Sequence, residues 1–230
     1  MSGNTHPILG IGLYSAGEAS RLLKIPARSI RRWLTGYNFQ HRGETIHMDP
    51  LWQPQLPQLG EHLELGFRDL IELRFVQAFI EAGLGLKTIR YCLDHAKNIV
   101  ADDRPFSTQR FQTDGRTIFL ESLSEQEDGN LFDLKKSQYI FKTVIERTFK
   151  DLDIDNDAVS RWRPYKGKSS IVVDPELVFG QPTTANYNIP TIALAQAVKV
   201  EGSEKAVARL FEIPTSIVRD AVAFEESLAA

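Results

Sequence analysis

Apolar positions recur at helical spacing in several separate stretches of the chain. Ala19, Leu22 and Leu23 form one stripe, and Ile30, Trp33 and Leu34 form a second at i, i+3, i+4. They predict two short helices, one ending near Lys24 and one spanning residues 27–35. Ile25-Pro26 separates them, since proline cannot continue a helix but suits the first turn of the next. Ser15 and Glu18 have capping-box spacing, and Gly36 supplies a stop. Phe67, Leu70, Leu73, Val76 and Ile80 predict a third helix that closes at Gly83. Leu86, Ile89, Leu93 and Ala96 predict a fourth. Residues 111–120 alternate poorly but carry Asp114-Gly115, which predicts a β-hairpin. Residues 122–130 are polar and acidic and read as a loop. Residues 134–152 predict a long amphipathic helix, with Phe141, Ile145, Thr148 and Leu152 on one side and Leu134, Ile140 and Val144 on its flank. On the pattern alone, that helix closes the core of one chain.

Charge changes this picture. The 230 residues carry a net charge of −3, which taken alone speaks against nucleic acid as a partner. The distribution reverses that inference for the head. Residues 1–60 hold 6 basic and 3 acidic side chains, whereas residues 171–230 hold 4 and 8. Arg21, Lys24, Arg28, Arg31, Arg32 and Arg42 fall in a stretch without a single acid. Between head and tail, Asp151, Asp153, Asp155 and Asp157 are followed by Arg161, Arg163, Lys166 and Lys168. This reads as a basic head, a charge-switching linker and an acidic tail.

A short helix, a tight turn and a basic second helix make the geometry that sets a recognition helix in the major groove. An ordinary helical hairpin with a solvated charged face has the same spacing. The run YSAGEASRLLKIPARSIRRW over residues 14–33 resembles the N-terminal helix-turn-helix of MerR-like and excisionase-like DNA-binding proteins. Residues 67–83 and 86–97, especially FIEAGLGLKTIR over 79–90, resemble the helix pair that follows the wing in MerR-like domains. Residues 37–59 would then be the wing, carrying His41, Arg42 and His47, with Trp52, Pro54 and Pro57 stiffening its return. The resemblance covers about the first 100 residues. It implies DNA contacts from Arg21, Lys24, Arg28, Ser29, Arg31 and Arg32, with Arg42 on the wing. Trp33 lies on the Ile30–Leu34 stripe and is expected in the core.

The tail repeats the head's pattern 188 positions later. RLFEIPTSIVR over 209–219 echoes RLLKIPARSIR over 21–31. The charges do not repeat, because Glu212 stands for Lys24 and Asp220 for Arg32. A phosphate-facing helix would be repelled by those acids, so the tail is expected to be a helix-turn-helix shape that contacts protein. A chance match of two helical hairpins is the alternative. Ile171-Val-Val-Asp-Pro175, Gly180-Gln-Pro182 and Asn188-Ile-Pro-Thr191, with the hairpin after them, resemble a small domain often attached to VapB-type antitoxins. Asn186-Tyr187-Asn188 stand where that family usually carries Gly-Thr-Arg.

Other chemistries are excluded by spacing. Cys92 and His95 supply two ligands at most, and a buried structural cysteine accounts for the first. The aspartates of 151–157 lack a calcium loop's glycine and closing glutamate. No phosphate loop or nucleophile elbow occurs. One cysteine rules out an internal disulfide framework. No apolar run approaches the roughly 20 residues of a membrane helix, and residues 1–13 show no signal peptide. The expectation is a cytoplasmic non-enzyme with no cofactor, no metal and no membrane partner.

The expected fold is mainly α with small β-hairpins. A winged helix-turn-helix region of MerR-like type spans 1–60, with supporting helices, a hairpin and the long helix over 61–152. A charged linker covers 153–170 and an antitoxin-type helical domain covers 171–230. The paired resemblances imply the antitoxin of a toxin–antitoxin pair whose toxin is a PIN-like ribonuclease. It would bind operator DNA as a homodimer or in a higher toxin–antitoxin assembly. Such nucleases hold metal with clustered acids, and an inserted arginine would compete for that cluster. Arg161, Trp162 and Arg163 are the expected toxin contacts, two guanidiniums flanking an aromatic anchor. An exposed basic linker is the plainer account of that segment. Two other readings are a stand-alone MerR-like regulator whose tail senses a ligand or partner, and an adaptor that binds only protein.

Overall fold

The computed structural model describes residues 10–58, 62–124, 134–165 and 167–229. Expectations for residues 1–9, Leu59, residues 125–130, the Leu134 side chain and Lys166 lie outside what is described. The described chain is mainly helical, with small β-hairpins and an N-terminal helix-turn-helix.

The head forms as its local signals dictate. Strand β1 (Tyr14–Ser15) leads into helix α1 (Ala16–Leu23). Ser15 Oγ accepts from the Glu18 backbone N–H at 3.2 Å, and the Glu18 carboxylate accepts from the Ser15 N–H at 2.8 Å. Lys24, at φ 58°, ends α1. Pro26 then opens helix α2 (Ala27–Thr35), its carbonyl accepting from Ser29 and Ile30 at 2.8 and 3.2 Å. At Gly36 the chain turns with φ 73°, and a Cβ there would lie 2.6 Å from the Met48 carbonyl oxygen. Only glycine fits this reversal. It feeds the hairpin of β2 (Tyr37–His41) and β3 (Glu44–Met48), whose two-residue turn is Arg42-Gly43. Strand β4 (Glu64–Leu65) returns to pair antiparallel with β1.

The supporting helices are α3 (Phe67–Glu81) and α4 (Leu86–Val100), where the stripes place them. The expected hairpin at 111–120 is instead helix α5 (Gln109–Ser124), which also absorbs the start of the expected loop. Thr108 Oγ1 accepts from the Phe111 N–H at 3.1 Å and starts it. Phe111, Ile118 and Phe119 face the core. Gly115 is a packing glycine, because a Cβ would come within 3.0 Å of Ile145 Cδ1 on helix α6 (Leu134–Phe149). Close approach of two helices explains it, and no turn is involved.

The stretch 153–170 differs from an open linker. Strands β5 (Leu152–Asp155) and β6 (Ala158–Trp162) form a hairpin whose turn, Asn156-Asp157, takes φ values of 48° and 66°. With β7 (Ile171–Val173) and β8 (Pro182–Thr184) they make a four-stranded antiparallel sheet in the order β5-β6-β7-β8. Charges drive no separation here, because they neutralise one another. Asp151 accepts from Arg74 Nη2 at 2.6 Å, and Asp153 pairs with Arg163.

One hydrophobic core runs from Tyr14 to Val173, so the head, the helices and the hairpin β5–β6 share it. Phe75, Phe79, Phe106, Phe111, Phe119, Phe141 and Phe149 pack ring on ring where α3, α5 and α6 meet. The inward side of α6 closes this core. Two acids lie fully buried on α3. Asp69 accepts from Trp52 Nε1 (2.9 Å), the Gln55 and Gly66 N–H groups (2.8 and 2.9 Å) and Arg104 Nε (2.8 Å). Glu72 accepts from the Ser107 and Phe106 N–H groups at 2.8 and 3.3 Å. Burial raises its carboxyl to about 8, against the pull of Arg68 and those hydrogen bonds.

A second core joins α7 (Thr191–Glu201), α8 (Glu204–Leu210) and α9 (Thr215–Ala229). Here the repeat is structural as well as sequential. Ser203 caps α8 through the Ala206 N–H, as Ser15 caps α1 through Glu18. Glu212 takes φ 55° where Lys24 takes 58°. Pro214 accepts from Ile217 and Val218 as Pro26 accepts from Ser29 and Ile30. Ile213 and Val218 are buried like Ile25 and Ile30. The head meets the β7–β8 connection at a seam. The Tyr14 hydroxyl donates to the Gly180 carbonyl at 2.7 Å, and the Leu13 N–H donates to the Phe179 carbonyl at 2.9 Å.

Candidate nucleic-acid interface

Helix α2 divides cleanly between an inner and an outer face. Ile30, Trp33 and Leu34 are buried, Trp33 in the core as its stripe requires. Arg28, Arg31 and Arg32 are exposed, and Ser29 is half-buried. Arg42 stands exposed at the tip of the β2–β3 hairpin, with φ 52°. These residues therefore flank one continuous outer surface made by α2 and the hairpin that follows it. An acid-free row of guanidiniums on an exposed helix is a surface for phosphate oxygens and base edges.

The hairpin is anchored from below. Arg90 on α4 donates through Nη1 to the Pro50 carbonyl (2.9 Å) and through Nη2 to the Asp49 carbonyl (2.7 Å). Lys97 Nζ donates to the Leu51 carbonyl at 3.1 Å, and the Leu51 N–H donates to the Trp33 carbonyl at 2.7 Å. The chain leaving β3 is thus strapped to both α2 and α4. Across the hairpin, His47 Nδ1 lies 2.7 Å from Asn38 Oδ1, and Gln40 Nε2 donates to Thr45 Oγ1 at 2.7 Å. Tyr37, at the base of β2, carries the Arg32 guanidinium over its ring at 3.9 Å. The sequence reading passed over Tyr37, and an arginine in the last turn of α2 followed directly by a tight turn was the available signal.

Two of the expected DNA contacts, Arg21 and Lys24, also touch the C-terminal unit. Lys24 Nζ donates to the Ser227 carbonyl in the last turn of α9 at 2.6 Å. A cation at a helix C-terminus is favoured by the unpaired carbonyls there. Arg21 lines a cleft between α1 and the tail with Leu13, Glu18, Ile192, Glu225 and Leu228. Arg21 and Lys24 are thus exposed beside the C-terminal unit, whereas Arg28, Arg31 and Arg32 are exposed on the outer face of α2.

The 161–163 segment also differs from its expected form. Trp162 is buried, its ring carries Arg74 at 5.1 Å, and its Nε1 donates to Asp151 at 3.2 Å. It is a core residue and offers no exposed anchor, because alternation along β6 turns it inward while its neighbours point out. Arg161 Nε donates to the buried Asp174 at 2.5 Å, and Arg163 pairs with Asp153. Both arginines line one open groove of about 700 Å³ with Lys168, Asn186, Asn188 and Asp220. Lys168 Nζ and Ser170 Oγ donate to Asp220 at 2.5 and 2.8 Å, which holds the groove's wall against α9. Among the described residues no cluster of three or more His, Cys, Asp or Glu side chains is arranged to hold a metal. No described helix is long and apolar enough to cross a membrane. Cys92 is buried, and burial pushes its thiol well up.

Residues 12–93 match the family model described as "Putative DNA-binding HTH domain", a span that takes in α1, α2, the hairpin, α3 and half of α4. The particular likeness is to an antitoxin. The chain is 25% identical over 224 residues to the "Putative antitoxin VapB45" of Mycobacterium tuberculosis, covering 92% of this chain and 93% of that protein. The crystal structure of Rv2018 from Mycobacterium tuberculosis has the same fold, with a TM-score of 0.70 at 22% identity over 93% of this chain and 99% of that one. The family match thus falls on the head, while the likeness to the antitoxin and the shared fold run over nearly the whole chain.

Proposed function

We propose that this chain is the antitoxin of a type II toxin–antitoxin pair and that its head is a winged helix-turn-helix of MerR-like type. The head binds operator DNA, and the C-terminal half binds and silences a PIN-like ribonuclease in the cytoplasm. The observation that carries the DNA half is the exposed, acid-free face of Arg28, Arg31 and Arg32 beside a hairpin tipped by Arg42. Each phosphate neutralised releases counterions, which gives affinity without sequence. Ser29 and an arginine of this face supply base-edge donors for specificity. Two copies on a pseudo-palindrome satisfy the half-site geometry of such heads.

For the toxin, we place the contact in the groove lined by Arg161 and Arg163. Arg161 spends its Nε on Asp174, and its two Nη groups point to no acceptor among the described residues. Those donors suit the clustered carboxylates of a metal-dependent nuclease. Trp162 has no part in this contact, since it is buried.

The test is co-expression of the chain with the adjacent small reading frame. A stoichiometric complex with suppressed ribonuclease activity supports the reading. A chain that shifts its upstream promoter but recruits no neighbour would make it a stand-alone regulator. A chain that holds the neighbour but shifts no DNA would make it an adaptor.

A further inference from the structure

Arg32 differs from the other arginines of the outer surface in being held. Its Cζ sits 3.9 Å from the centroid of the Tyr37 ring. Arg28, Arg31 and Arg42 have no comparable contact among the described residues. Tyr37 is itself fixed. It is half-buried, it pairs across the hairpin with Met48, and the Phe39 ring lies 6.0 Å away. The turn at Gly36, which no other residue fits, folds β2 back beneath the last turn of α2 and delivers the ring to the guanidinium.

Stacking uses the flat face of a guanidinium and leaves its five N–H groups at the edge. No carboxylate or carbonyl takes those donors from Arg32 among the described residues. The side chain is therefore ordered before any ligand arrives, with its hydrogen-bonding capacity unspent. Free arginines must lose rotamer freedom on binding, and an ordered one has less to lose. An ordered, planar donor fork is the group that reads a guanine edge.

We propose that Tyr37 is a positioning residue that presents Arg32 to DNA at the junction of α2 and the hairpin. Arg32 is thereby the sequence-discriminating arginine, while Arg28, Arg31 and Arg42 supply contacts that any duplex satisfies. The proposal rests on the DNA reading above and assigns a division of labour within it.

The experiment measures affinity for two duplexes, the region directly upstream of this gene and a scrambled duplex of equal composition. Tyr37→Phe keeps the ring and is expected to match the unaltered chain. Tyr37→Leu is expected to lower the upstream-to-scrambled affinity ratio about two- to fivefold, the scale of an exposed cation–π contact. Its log–log salt slope is expected to stay unchanged, because Arg32 is still present. Arg32→Ala is expected to lower the ratio by at least as much, and adding Tyr37→Leu to it is expected to cost nothing more. Additive losses in that double variant would overturn the role of Tyr37, as would a Tyr37→Phe chain as impaired as Tyr37→Leu. Side-chain NMR guards against a misfolded hairpin. The Arg32 Hδ protons are expected upfield in the unaltered chain and in Tyr37→Phe, and unshielded Hδ protons in the unaltered chain would overturn the stack. An unaltered chain that binds neither duplex would overturn the DNA reading itself, whereas binding with additive losses would overturn only the part given to Tyr37.

Discussion

The Tyr14 hydroxyl donates to the Gly180 carbonyl at 2.7 Å, joining residues 166 positions apart at the seam between the head and the β7–β8 connection. Gly180 has φ 84°, and a Cβ there would collide with that hydroxyl. Burial, with smaller contributions from Asp174 and Glu18, drives the phenol far above its ordinary value, so the bond does not titrate at any pH the protein meets. Val178 and Phe179 precede it at φ 45° and 55°, values that favour glycine. The seam holds them there.

Tyr14→Phe is therefore expected to leave the Gly180 carbonyl buried and unpaired, at a cost of about 1–3 kcal/mol. Gly180→Ala is expected to cost more, because it adds a clash to a left-handed backbone. Urea unfolding of both variants checks the order.

The raised carboxyl of Glu72 gives stability a pH dependence. Folding favours its neutral form, so its contribution is full below the ordinary value of 4.5 and declines as pH rises. It is lost once pH has passed the folded value of about 8. The slope from this group is at most about 1.4 kcal/mol per pH unit. Glu72→Gln is expected to flatten the profile between those values and to gain on the unaltered chain as pH rises. Denaturant midpoints at a series of pH values check this.

Arginine and lysine variants separate the two faces of the head. Arg31→Ala with Arg32→Ala is expected to weaken DNA binding and reduce its log–log salt slope by roughly 0.9 per lost phosphate contact. Lys24→Ala is expected to leave the slope unaltered, because its ammonium sits on the Ser227 carbonyl. A salt titration of DNA affinity distinguishes them.

In the 161–163 segment, Trp162→Ala is expected to lower stability by about 3–5 kcal/mol, as core aromatic truncations do. Arg163→Ala with Arg161→Lys is expected to leave the thermal midpoint nearly unchanged while weakening toxin binding. The lysine keeps a charge beside Asp174, which is buried. Calorimetry of the complex and thermal melts of the free chain check the pair.

The head was legible because its signals are local. A capping box, an Ile-Pro turn and a glycine stop each act within four residues, and all three operate as read. Asp114-Gly115 and Asn156-Asp157 show where local reading gives out. Both pairs suit a two-residue turn, yet only the second makes one. Gly115 answers to Ile145 on another helix, which no neighbour in sequence reports. Asp151, Asp153, Arg161 and Arg163 looked like solvated charge, yet Asp153 pairs with Arg163, Asp151 with Arg74 on α3 and Arg161 with Asp174. The Lys24 acceptor was hidden for the same reason, since it lies 203 positions away. Trp33 and Trp162 differ in this respect. The first lies on a helical stripe that announces its burial, and the second on a strand whose charged neighbours conceal it.

The first part of the stretch expected as a charged linker is a paired hairpin within the sheet, which gives a protease no extended tether over residues 152–162. Arg163, Tyr165, Lys168 and Ser170 each bind back to the body, through Asp153, Phe224 and Asp220. The head and the tail should then share one lifetime. Turnover would remove the surface proposed for DNA and the groove proposed for the toxin together, and would leave no free head after the tail was gone.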